Sequence, residues 1–290
     1  MEYSNEISAL FQLMDDPDED IYGTVQNRLL SFGKDIIPNL ELFSETMPSP
    51  IVQERISILL KRLYFDGFLN DWQKWLTDPS PDLLDGALIL SRFIEPDLNT
   101  EACTYQVEKI RRSIWLELNS YLTAMEQINI VNKILFLHYQ WEAGRTVYAR
   151  TEEFSIGRVL PSRKGNAISN GILYQYLCQM LDIPVWIIPL PGQVVLAYLD
   201  QSTLSLQTGA ASDNAVMFFI DPVTGHMYSR SDIEQYLKRI NTPLSAEFTR
   251  PASSKEIMML MIDELIRSYE NRDITDKVMD LHRLKNILLS

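Results

Sequence analysis

The chain has 290 residues, long for one compact core and about right for two modest domains, and its 46% hydrophobic and 22% charged residues are ordinary for a folded protein. Its net charge of −13 and pI near 4.7 oppose nonspecific attraction to nucleic acid or to an anionic membrane, which would be repelled at long range. Cys103 and Cys178 are the only cysteines, and their separation gives neither a disulfide framework nor metal-ligand spacing, so buried free thiols are expected.

The N-terminus lacks a basic segment followed by an apolar run, and no stretch reaches the roughly 18 apolar residues of a membrane span. A cytoplasmic protein with no cofactor and no metal is the expectation. KIRR at Lys109–Arg112 is the densest basic stretch, and it reads as a solvated helix face.

In chain order, Ile7, Leu10, Phe11 and Met14 recur at helical spacing until Asp15-Asp16-Pro17 stops the run. A second helix is predicted from about Glu19 to Phe32. Its acidic start complements the helix dipole, and Gly33 suits the C-terminal cap. That acidic start lacks the alternating ligands of a calcium loop. Ser49-Pro50 and Ser80-Pro81 each offer an N-cap with proline in the first helical position. The first launches Ile51, Ile58, Leu59 and Leu63, and the second launches Leu83, Leu84, Ala87 and Leu88. Short helices separated by such turns resemble HEAT-type repeats, which places a helical HEAT-like region at 1–104.

One or two further helices are predicted over 105–140 from Ile110, Ile114, Trp115 and Leu118, then Ile130, Ile134, Leu135 and Leu137. Trp72, Trp75 and Trp115 are assigned to the core. Gly144, Gly157, Pro161 and Gly165 mark 141–165 as an irregular connection that either lines a pocket or simply joins elements. A helix over 166–181 follows, then a turn at Asp182-Ile183-Pro184. Three apolar strands come next, at 185–190, 193–199 and 215–220. Residues 201–214 read as a polar excursion or hairpin. Ser231 and Asp232 start a helix, and 253–289 is helical again. The fold class is α+β, mostly helical, with a helix on an antiparallel sheet and a second domain at 105–290.

The order of helix, Ile-Pro turn and strands resembles the core of the transglutaminase-like superfamily. It is most similar to a bacterial branch, the SirB-type proteins, through Gly165-Asn166-Ala167-Ile168-Ser169, Pro191-Gly192-Gln193-Val194 and Ile220-Asp221-Pro222. VNKILF (131–136) and DIEQYLKRI (232–240) also look like that branch, and the C-terminal helices match it more weakly. The resemblance covers roughly the last 160 residues, and its specificity lies in order and spacing.

The resemblance implies a cysteine opening the helix, a histidine on the next strands and an aspartate after them. A thiolate at a helix N-terminus, paired with an imidazole that a carboxylate orients, is the chemistry such a site needs. Counting back from Pro184 by the family spacing lands on Asn166, Ala167 or Ile168, none of them nucleophilic. Cys178 lies towards the other end of the helix. Asn166, Ser169 and Asp221 carry over, while Gln193 stands where the histidine is implied. Glutamine hydrogen-bonds but does not shuttle protons near neutral pH. His226 follows Asp221 by five positions and reads first as a loop histidine; His138 and His282 lie on helices.

Three functions remain open. The favoured one is a noncatalytic transglutaminase-like protein with an interaction or regulatory role and a protein partner of unstated identity. The second is a divergent hydrolase or acyl transferase that uses His226 with Ser169 or another hydroxyl. The third is a small-ligand pocket at Asn166, Ser169, Gln193, Asp221 and His226; the favoured reading of these polar groups is a hydrogen-bonded remnant that holds helix to sheet. Capping is the expected role of Ser169.

Overall fold

The structure is a computed structural model and describes residues 2–46, 49–143, 150–200, 216–243 and 245–289. The predicted excursion at 201–214 and Gly144 lie outside the described residues. Two compact units divide the chain, Met1–Lys74 and Trp75–Ser290.

The first unit is helical: α1 (Glu2–Gln12), α2 (Glu19–Ser31), a 3-10 turn (Gly33–Ile36), α3 (Ile37–Thr46) and most of α4 (Pro50–Thr77). Asp18 caps α2 by accepting from the Asp20 amide, and Gly33 leaves the helix at φ +64°, a conformation that favours glycine. The sequence pattern did not single out α3, whose second residue is Pro38. It lies in the first turn, where a missing N–H costs nothing. Met14, Leu29, Leu40, Ile56 and Leu59 form the fully buried core of this unit. Arg55 donates to the carbonyls of Met14 and Asp16 at 2.9 Å each, satisfying acceptors just past the end of α1.

The second unit begins with α5 (Leu83–Ile94), α6 (Thr100–Trp115) and α7 (Ala124–Asn132), the last continued by a π-helical turn (Lys133–His138). The described parts of the connection at 141–165 are more regular than its glycines and proline suggest. It holds β1 (Glu142–Ala143), a 3-10 turn (Thr151–Phe154), α8 (Ile156–Ser162) and β2 (Lys164–Gly165), with β1 and β2 pairing in parallel. Then come α9 (Ala167–Gln179), β3 (Val185–Leu190), β4 (Gln193–Leu199), β5 (Val216–Ile220) and β6 (Met227–Tyr228). After the sheet lie α10 (Arg230–Arg239), a 3-10 turn (Ala246–Thr249), α11 (Ser254–Glu270) and α12 (Thr275–Leu289).

The sheet is an antiparallel meander in the order β3-β4-β5-β6, with four strands where three were expected. The two-residue β6 is too short to register as an apolar run. One face, built from Ile188, Val195, Ala197 and Phe219, packs on Ile233 and Leu237 of α10. The opposite face meets α9, with Ile187 in van der Waals reach of Gly171. From Ile168 to Cys178, α9 is buried on nearly every side, as a helix apolar all round must be. The edge strand β3 is covered: the Ile187 amide donates to Gln175 Oε1 at 2.6 Å, and its carbonyl accepts from the Ala252 amide at 2.9 Å.

Several local readings need correction. The cap of α5 is Asp82, whose carboxylate accepts from the Asp85 amide, so Ser80-Pro81 precedes the helix instead of starting it. Ser229, not Ser231, caps α10, forming a capping box with Asp232. Trp72 and Trp75 are buried, but Trp115 is 60% exposed, because it ends α6 one position past the inward-facing Ile114. Leu137 is also exposed, since the π-helical turn rotates it off the face that buries Ile134 and Leu135. Both cysteines are free and buried. Among the described residues no helix is long and apolar enough to cross a membrane.

Candidate functional site

The start of α9 is closed by a reciprocal cap. Asn166 Oδ1 accepts from the amides of Ile168 and Ser169 at 2.9 Å each, and the Asn166 amide donates to Ser169 Oγ at 3.0 Å. Ser169, fully buried, donates in turn to the carbonyl of Glu153 at 2.7 Å, and Asn166 Nδ2 reaches the same carbonyl at 3.3 Å. Every polar atom of the Ser169 side chain is thus committed to backbone. Ala167, half-buried in the first helical position, presents only a methyl group.

Glu153 went unnoticed in the sequence because its anchoring atom is a backbone carbonyl, which no residue type advertises. Burial pushes its carboxyl up, against the lowering effect of the Arg150 amide. Gly165 is also explained here. A Cβ at that position would sit 2.1 Å from Asn170 Oδ1 and 2.7 Å from Ser169 Oγ, so only glycine lets β2 approach the helix start. Asn170, 1% exposed, has neither amide atom in a hydrogen bond.

Asp221 ends β5. Its amide donates to the His226 carbonyl at 2.8 Å, its carbonyl accepts from the Gly225 amide at 2.9 Å, and its carboxylate accepts from the Val223 amide at 2.8 Å. Tyr228 also bonds that carboxylate; burial first, and then the charge of Asp221, pushes the phenol up. A buried polar link ties this turn to α9: Tyr174 donates to Asn132 Oδ1 at 2.9 Å, and Asn132 Nδ2 donates to the Gly225 carbonyl at 2.7 Å. Asn132 belongs to the VNKILF segment, so a signal for this link was present in the sequence. Pro222 lies beside Gly171, one helical turn into α9.

Asn166 and Ser169 therefore form one hydrogen-bonded group, and Asp221 with His226 another; no hydrogen bond among the described residues joins the two. Gln193 opens β4 opposite Leu190 across the Pro191-Gly192 turn, and it is exposed. Strand alternation gives Gln193 the same facing as Val195 and Ala197, which is the α10 side and not the α9 side. The His226 ring is exposed and stands edge-on to Tyr228, with ring centroids 4.8 Å apart. Cys178 is wholly buried, and desolvation pushes its thiol far up, so it is chemically quiet. No group of three or more His, Cys, Asp or Glu that could hold a metal occurs among the described residues.

Comparison with known proteins adds ancestry to this geometry. Residues 101–263 match the family model described as the transglutaminase-like superfamily. The protein SirB1 of Salmonella typhimurium is 23% identical over 186 residues, covering 63% of this chain and 65% of that protein. A UPF0162 protein of Buchnera aphidicola (subsp. Schizaphis graminum) is 24% identical over 212 residues, covering 71% and 72% of the two chains. The UPF0162 protein YchA of Escherichia coli is 20% identical over 186 residues, covering 63% and 65%. The chain thus spans just under two thirds of the length of SirB1 and YchA. No solved structure matches.

Proposed function

The chain belongs to the transglutaminase-like superfamily, and from that premise we propose that it is a noncatalytic member acting through binding, in an interaction or regulatory role. The observation that carries this reading is the state of the Ser169 hydroxyl. It is the one nucleophile-type group at the start of α9, it is fully buried, and its proton goes to a backbone carbonyl. A nucleophile needs a base within hydrogen-bond reach, and among the described residues Ser169 Oγ bonds only to backbone groups. Support also comes from Ala167 in the first helical position, from Gln193 facing away from α9, and from the exposed ring of His226.

The helical N-terminal region, read as HEAT-like over 1–104, is in this proposal the partner-binding part, with 105–290 as the transglutaminase-like domain. The test is an assay of the full chain for amide hydrolysis and acyl transfer against peptide and amine substrates. No turnover above the uncatalysed background is expected, from the native chain or from Asp221→Asn. Turnover that disappears in Asp221→Asn or Ser169→Ala overturns the proposal.

A further inference from the structure

We propose that the second unit carries a separate site for a small zwitterion, an amino acid or short peptide, in a cleft that Glu153 lines and Ser169 does not. The cleft encloses about 1150 Å³ between the α5–α6 junction, the β1–β2 ribbon, the 3-10 turn at Thr151, α8 and the turn after α11. That volume is ample for a ligand of a few residues. None of Asn166, Ser169, Gln193 or Asp221 lines it, and its chemistry is independent of whether the start of α9 catalyses.

Two guanidiniums in this cleft share one carboxylate. Glu152 Oε2 lies 3.7 Å from Arg150 Nε and 3.7 Å from Arg272 Nη2. Both separations exceed hydrogen-bond length, so this carboxylate fills the fork of neither guanidinium. The other carboxyl near Arg150, that of Glu153, is 4.0 Å away and likewise beyond hydrogen-bond length. Arg272 is held in place by donating to Thr151 Oγ1 at 3.0 Å. An incoming carboxylate therefore completes a fork-to-fork pairing that the protein itself leaves open.

A simple anion is the poorer fit, because the rest of the lining is not positive. The Arg158–Glu95 and Lys164–Glu142 pairs are closed at 3.1 Å each. Asp97, exposed on the same lining, has no ion-pair partner among the described residues and offers a seat for an ammonium group. Tyr269 and Ile274 supply apolar wall between polar groups. A ligand with both signs of charge on a short apolar frame matches this set.

The experiment is calorimetric titration of the full chain with trialanine, with its C-terminal amide and with its N-acetyl form. Trialanine is expected to bind saturably, with each blocked form at least tenfold weaker. Arg272→Gln is expected to weaken trialanine at least tenfold and to bring it to the level of the amide. Arg150→Gln, at a side chain 59% exposed, gives the same loss with little risk to folding, and the melting profile of each variant is checked alongside. No saturable binding at millimolar concentration, equal binding of the blocked forms, or binding that both arginine variants leave unchanged overturns the proposal.

Discussion

Ser169→Ala removes a hydroxyl that closes the start of α9 from two sides. The Asn166 amide loses an acceptor at 3.0 Å, and the Glu153 carbonyl loses a donor at 2.7 Å. That carbonyl keeps the longer contact from Asn166 Nδ2 at 3.3 Å, so it is only partly stranded. Asn166 Oδ1 still accepts from Ile168 and Ser169, so half of the cap survives. Losing one cap interaction costs about 1 kcal/mol, and stranding a buried partner costs about 1–3 kcal/mol. With the carbonyl half relieved, the expected loss is about 2 kcal/mol. For a domain of this size that is a fall of about 4–8 °C in Tm.

Urea unfolding of the full chain, followed by near-ultraviolet circular dichroism, gives the free energy. Amide exchange at Asn166 then locates it, since that N–H is released by the substitution. A loss below about 0.5 kcal/mol, with Asn166 exchange unchanged, would refute the capping argument. Unchanged stability together with loss of a measurable acyl-transfer activity would identify Ser169 as a nucleophile instead.

Four further outcomes are expected. In the native chain neither Cys103 nor Cys178 reacts quickly with a thiol reagent, because burial pushes both thiols up, whereas Ala167→Cys adds one fast-reacting thiol at a helix N-terminus; rapid labelling of the native chain contradicts this. Gly225→Ala places a Cβ 2.6 Å from the Phe136 ring and 2.7 Å from Asn132 Oδ1 at φ +72°, and loses about 2–4 kcal/mol by denaturant titration; a loss under about 1 kcal/mol, no more than the backbone strain alone, means that the Asn132 link yields freely. The Glu256 carboxyl is held at about 2, down from 4.5, chiefly by its hydrogen bond to Arg250. Its contribution is therefore present above pH 4.5 and lost as pH falls from there towards 2, so Glu256→Gln flattens that part of the stability–pH curve; an unchanged slope removes the assignment. Asn170→Leu, replacing an unpaired buried amide by an apolar group of similar size, holds or raises stability by about 1 kcal/mol, and a clear loss means that the amide has a partner in solution.

Strands β3 and β4 were readable to the residue, because β-branched runs bounded by Pro184 and Pro191-Gly192 leave few alternatives. The helix α9 was readable as well, since Asn166 and Ser169 carry capping chemistry in their side chains. What escaped was chemistry held in the backbone or made by distance. The Glu153 carbonyl is an acceptor in any residue, so nothing at that position marked it as the anchor of α9. The pairing of β1 with β2 joins residues separated by a turn and a helix, and Gly157 and Pro161 masked that helix as a loop. Arg150 and Arg272 meet over Glu152 from opposite ends of the domain, a contact no local pattern encodes. The facing of Gln193 followed from alternation once the buried partners of β4 were known, but its side of the sheet required the position of α10.

The polar residues that match the family pattern are the ones this fold has already satisfied. Asn166 and Ser169 finish a helix, and Asp221 braces a turn that Asn132 and Tyr174 fasten to that helix. Each of these roles is sufficient reason for its residue type, so architecture by itself accounts for the presence of those residues. Charged groups left without a closed ion pair at a concave surface are more informative, because a ligand can take the place of the water that engages them. In this chain the guanidiniums of Arg150 and Arg272, with one carboxylate between them, meet that description at a surface that ligand can reach. Binding chemistry is therefore to be sought in the cleft that Glu153 lines before it is sought at the inherited positions on α9 and β5.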